Sequence, residues 1–107
     1  MTADLIDFAN AARALSRAAA VLGLRAPTFR SPPRIPGSTR TIRTHSDGTC
    51  TVAVSLRGRP RPAVLADMVE GVVAANGLSG AEAGRFRDAL WEFVEAGHRD
   101  LEEATAA

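Results

Sequence analysis

The sequence predicts an α+β domain in the order α-β-β-α-α. Three observations carry that expectation: an unbroken helical period between Leu5 and Leu22, two β-branched runs either side of Asp47-Gly48, and two helical patterns after Pro62 separated only by a turn. The 107 residues are read as a single small domain, 1–107. A chain of that length buries roughly 65% of the surface its unfolded form exposes, enough for a modest core, and a dimer interface would add to it.

Residues 1–23 read as the first helix. Thr2 is placed as an N-cap, Asp4 sets a carboxylate in the first turn where the helix dipole favours it, and Gly23 supplies the stop. Leu5, Phe8, Ala12, Leu15, Ala19 and Leu22 fall on one apolar stripe, with Arg13, Ser16 and Arg17 off it. The period then disappears. Pro27, Pro32, Pro33 and Pro36 each remove a backbone donor and fix φ, so residues 24–38 are expected to form an extended Pro/Arg-rich connection, strapped over the domain by Phe29 and Ile35. Pro33-Arg34-Ile35-Pro36 fits a PxxP pattern, but that pattern arises by chance too easily to indicate a ligand.

Residues 39–57 carry the hairpin signal. Asp47-Gly48 lies between Thr39–Thr44 and Cys50–Leu56, and Gly accepts the positive φ of a tight turn. On the second strand Cys50, Val52, Val54 and Leu56 alternate onto a buried face, leaving Thr51, Ala53, Ser55 and Arg57 on the other. Two strands alone are marginal, so the hairpin has to lie on helices or pair with a second copy. A helix over 62–76 opens at Pro62 and closes at Asn76-Gly77, with Val64, Leu65, Met68, Val69, Val72 and Val73 forming a wide apolar face. Ser79-Gly80-Ala81-Glu82 reads as a capping box and Leu78 as a hydrophobic staple for a last helix over 79–103, whose stripe runs through Phe86, Leu90, Phe93, Val94, Gly97 and Leu101. Glu95 and Arg99 form an i, i+4 pair on its outer face.

Charge is segregated along this order. Residues 25–61 hold eight of the thirteen basic residues against one acid, Asp47, whereas residues 62–107 hold nine acids against three arginines. The net charge of +1 therefore hides a field of two opposite poles. All thirteen cations are Arg, a choice that fits GC-rich codon usage as well as bidentate anion binding. Arg40, Arg43, Arg57, Arg59 and Arg61, on or beside the hairpin, are the candidate nucleic-acid-binding residues, positioned to meet phosphates. Arg57-Gly58-Arg59-Pro60 resembles the core of an AT-hook, in which an extended Arg-Gly-Arg lies along a narrow minor groove. The same four residues join strand to helix, and the turn is the reading adopted for them.

Catalytic chemistry has little footing. His45, Ser46 and Asp47 are neighbours in a turn and point apart, which is not how a triad converges. His45 with Cys50 is the best nucleophile-base pair on offer, yet Cys50 continues the apolar face of Val52 and Val54 and reads as a buried thiol. His98 with Glu95 and Glu102 has helical spacing for a metal but sits on an acidic outer face. No metal, cofactor or catalytic residue is assigned. One cysteine forms no internal disulfide, the acidic start Met-Thr-Ala-Asp is unlike a signal peptide, and no apolar run approaches the length of a membrane span, so the protein is expected in the cytoplasm. Two functions are weighed: a non-enzymatic, dimeric binding or regulatory protein that contacts DNA or RNA phosphates, and a protein–protein adaptor that associates through its helix faces.

Overall fold

The computed structural model describes residues 8–32, 35, 37–56 and 58–106, the stretch 96–106 as helical backbone alone. Its elements are α1 (Phe8–Val21), β1 (Thr28–Arg30), β2 (Arg40–Thr44), β3 (Cys50–Val54), α2 (Arg61–Ala75) and α3 (Gly80–Ala106). Thr2, Asp4, Leu5, Pro33, Arg34, Pro36 and Arg57 lie outside the described residues, as do the side chains of Gly97, His98, Arg99, Leu101 and Glu102.

The α+β class holds, and the order gains a strand. Within the expected connection, Thr28–Arg30 pairs in parallel with β3, Phe29 opposite Val52, so the sheet has three strands in the order β1-β3-β2. Phe29 does pack against the core, as a residue of a strand, and Ile35 is half-buried. Pro27 and Pro32 flank β1 and keep it short, which is the usual place for proline around an edge strand. On the other edge β2 runs antiparallel to β3, with Ile42 opposite Val52. The turn between them is tight: the Gly48 N–H donates to the His45 carbonyl at 3.0 Å, with Gly48 at φ 88°. Asp47 Oδ1 accepts from both the Thr49 amide (3.0 Å) and the Thr49 hydroxyl (2.6 Å), an Asx-type closure that fixes the hairpin register.

α2 is the middle layer. It lies on β2 and β3 with one side and meets α1 and α3 with the other, which explains why it is apolar around most of its circumference. Cys50, Val52 and Val54 face it and are buried, as the alternation predicts. Gly71 makes the approach possible, because a Cβ there would meet Val52 Cγ1 at 2.6 Å. Leu15, Ala18 and Ala19 of α1 and Leu90 and Val94 of α3 complete the core. Each fully buried Val or Leu contributes about 1.5–3 kcal/mol.

Both predicted glycine stops are present. After α1 the Leu24 N–H reaches the Ala19 carbonyl at 2.7 Å and the Gly23 N–H the Ala20 carbonyl at 3.2 Å, and Gly77 closes α2 through the equivalent pair of bonds. Asn76 does more than cap. Its amide accepts from the Arg25 N–H at 2.7 Å and returns a bond to the Arg25 carbonyl at 2.8 Å, tying the start of the connection to the end of α2. The capping box at Ser79 is not formed. The chain enters α3 through Gly80 at φ 58°, and Ser79 contributes its carbonyl, to the Ala83 N–H, with no capping bond from the side chains of Ser79 or Glu82.

Candidate functional site

Strand parity decides the fate of each hairpin arginine. Side chains alternate between faces along a strand, so Arg40, Ile42 and Thr44 share the α2 face with Val54, Val52 and Cys50, while Thr41 and Arg43 share the opposite face with Ala53 and Thr51. Arg40 therefore reaches inward, and its guanidinium meets Asp67 Oδ1 of α2 at 2.9 Å. Arg59 converges on the same acid. It donates to the Ser55 carbonyl at 2.7 Å, to the Ala63 carbonyl at 3.3 Å and to Asp67 Oδ2. Asp67 is only 14% exposed and serves two cations at once. Arg61 lies 4.0 Å from Glu95 of α3. Arg57 falls outside the described residues. Arg43 alone of the described set is exposed on the outer face and makes no ion pair with a described residue.

Of the AT-hook-like residues, Gly58 and Arg59 belong to a turn. Gly58 takes φ 66°, the Arg59 N–H closes onto the Leu56 carbonyl at 3.2 Å, and the Arg59 side chain lies against α2. An extended Arg-Gly-Arg strip is not available in that conformation.

The outer face of the sheet is covered by no described element. Two rows cross it: Arg30, Ala53 and Thr41 in one, Thr28, Thr51 and Arg43 in the next. Between the two arginines lies an open cleft of about 420 Å³, floored by Thr41, Thr51 and Ala53 with Pro32 and Ile42 at the rim. His45, opposite Thr49, stands one row further along the same face, its Nε2 2.7 Å from the Thr51 hydroxyl. No acid stands in either row. Arg30 was not legible as a partner of Arg43 without β1. Thr28-Phe29-Arg30, a polar-apolar-polar triplet between Pro27 and Pro32, is too short to mark a strand by its period.

His45 and Cys50 do not meet. His45 lies on the outer face with Thr51, whereas Cys50 is buried on the α2 face beside the Thr44 hydroxyl at 3.6 Å. The Thr49 hydroxyl, then the Thr49 amide, hold the Asp47 carboxyl below the usual carboxylate range. On α3 the hydrogen bond to Glu70 pushes the Arg87 guanidinium above its ordinary value and ties α3 to α2. Among the described residues no three potential metal ligands come together, and no helix is long and apolar enough to cross a membrane. Compared with models of protein families, with curated proteins and with solved structures, the chain matches none.

Proposed function

We propose that the protein is a non-enzymatic binding module of the cytoplasm that contacts nucleic acid through its arginine hairpin, with Arg43 leading. The observation that supports this reading is the outer sheet face: open, free of acids in its two rows, and carrying an exposed arginine that makes no ion pair with a described residue. Phosphates attract such a face through counterion release, without regard to base sequence. Arg40, Arg59 and Arg61 stand behind it. They share Asp67 and Glu95 and add to the local field more than to direct contact. Binding to labelled DNA and RNA at rising salt tests the reading. A falling log–log affinity that Arg43→Glu abolishes supports it, and no binding to either polymer at low salt rejects it.

Self-association is a second reading, favoured by the β2 edge. The His45 N–H bonds to the Thr49 carbonyl and the Ser55 N–H to the Thr39 carbonyl, so alternation turns the backbone groups of Arg40, Ile42 and Thr44 outward. Ser38 Oγ satisfies those of Arg40, at 3.2 Å from its nitrogen and 2.7 Å from its oxygen. Ile42, 38% exposed, and Thr44 are left to pair. Antiparallel pairing with a second copy about Ile42 sets Arg43 opposite Thr41 and opposes no like charges. Sedimentation over a concentration series should show a dimer that Ile42→Lys dissociates; a monomer throughout removes this reading.

A further inference from the structure

Resting on the nucleic-acid reading, we infer that Arg30 of β1 and Arg43 of β2 form a two-point clamp for the phosphate backbone of a duplex, laid across the outer sheet face. The register carries this. Arg30 and Arg43 are on opposite edges of the sheet and in adjacent rows. Two strand spacings of about 4.8 Å and a two-residue stagger of about 6.6 Å set their Cα atoms about 12 Å apart. Both side chains line the same cleft, so they act on one ligand. A single arginine would hold a phosphate without orienting it; two on a diagonal set the direction of the backbone across the sheet.

The floor selects the polymer. Thr41 offers a hydroxyl, Thr51 is held by His45 and Ala53 leaves space beside them, while no aromatic side chain lines the cleft. Single-strand binders rely on aromatic platforms on which bases stack, a contribution of about 1–3 kcal/mol per base that this face lacks. A duplex keeps its bases stacked inside and carries its phosphates along the outside, where guanidinium and hydroxyl donors can meet them without unstacking a base. The clamp therefore ignores base sequence. It also makes β1 part of the functional surface, because Arg30 reaches the cleft only through the parallel pairing with β3.

The experiment is a salt series on the full chain with blunt duplex DNA of two unrelated sequences and a single strand of equal length. Two phosphate contacts predict a log–log slope of about −1.8 for duplex, equal for both sequences, with about 0.9 lost in either Arg30→Ala or Arg43→Ala. Arg30→Lys should restore the slope, and Arg85→Ala, on the exposed surface of α3, removes the same charge and should leave it unchanged. Thermal melts confirm that the variants are folded. The clamp is overturned if Arg30→Ala keeps the full slope while Arg43→Ala loses it, or if the single strand binds more tightly than the duplex; both outcomes leave the broader nucleic-acid reading intact. Absence of any wild-type binding removes that reading and the clamp with it.

Discussion

The two faces of the three-stranded sheet receive the same residue type and use it in opposite ways. On the face toward α2, Arg40 comes to rest on Asp67 beside Arg59, behind a layer of buried valines. On the outer face Arg30 and Arg43 stand among threonines with no acid in their rows. Arg43 lies three positions after Arg40, an odd offset, and that alone sends them to opposite sides. Arginine density along a chain is thus a poor measure of a binding surface, since parity and the layer behind each side chain decide which cations are available to a partner.

The strongest way to break the contrast is to disturb the packed face at its tightest point. Gly71→Ala should destabilise the fold by about 1–3 kcal/mol through overpacking on Val52, even after a gain of about 1 kcal/mol in helix propensity. Combined with Val52→Ala the cost should fall short of additive in urea melts, because the smaller side chain makes room for the new methyl. Additive costs would mean that the two residues do not constrain each other.

Next in size is the loss of the shared acid. Asp67→Ala leaves Arg40 and Arg59 partly buried without their carboxylate and should cost about 1–3 kcal/mol. Its duplex salt slope should stay that of the wild type, since the released Arg40 remains on the α2 face. A steeper slope would show that the two faces are not separate.

A smaller effect belongs to the turn that holds both faces in register. The Asp47 carboxyl is depressed in the folded state, chiefly by the Thr49 hydroxyl, so its stabilisation is present above its unfolded pKa and lost as pH falls through the folded one. Thr49→Val should flatten the acid limb of a stability–pH curve measured by denaturant melts, with little change at neutral pH beyond the lost bond. The smallest effect on stability is expected from Arg43→Ala, within about 0.5 kcal/mol of wild type, as for other surface positions. A larger loss would assign Arg43 a structural duty and weaken its claim to a ligand.

Much of this was legible in the residues. The helical stripe through Leu15 and Ala19, the Gly23 and Gly77 stops, the Asp47-Gly48 turn and the burial of Cys50, Val52 and Val54 follow from period and turn chemistry, which are local. β1 was not, because three residues between prolines carry no period and a parallel strand is specified by a partner more than twenty positions away. The Ser79 box failed for a local reason that the motif hides: Gly80 adopts a positive φ, which turns the chain before Glu82 can reach back. At the site, the sequence named the hairpin arginines, yet which of them meet acids depended on where α2 and α3 fold back, and Asp67 and Glu95 carry no sign of that in their neighbours.

The bonds between Asn76 and Arg25 have a kinetic consequence. They join residues 51 positions apart, and β1 itself waits for β3, whereas β2 and β3 are neighbours that can zip within about 1–10 μs. Assembly should begin with the hairpin and the end of the chain, and the first strand to be made should be the last to dock. In pulse-labelled hydrogen exchange, the amides of β1 should gain protection after those of β2 and β3, and a simultaneous gain would exclude that order.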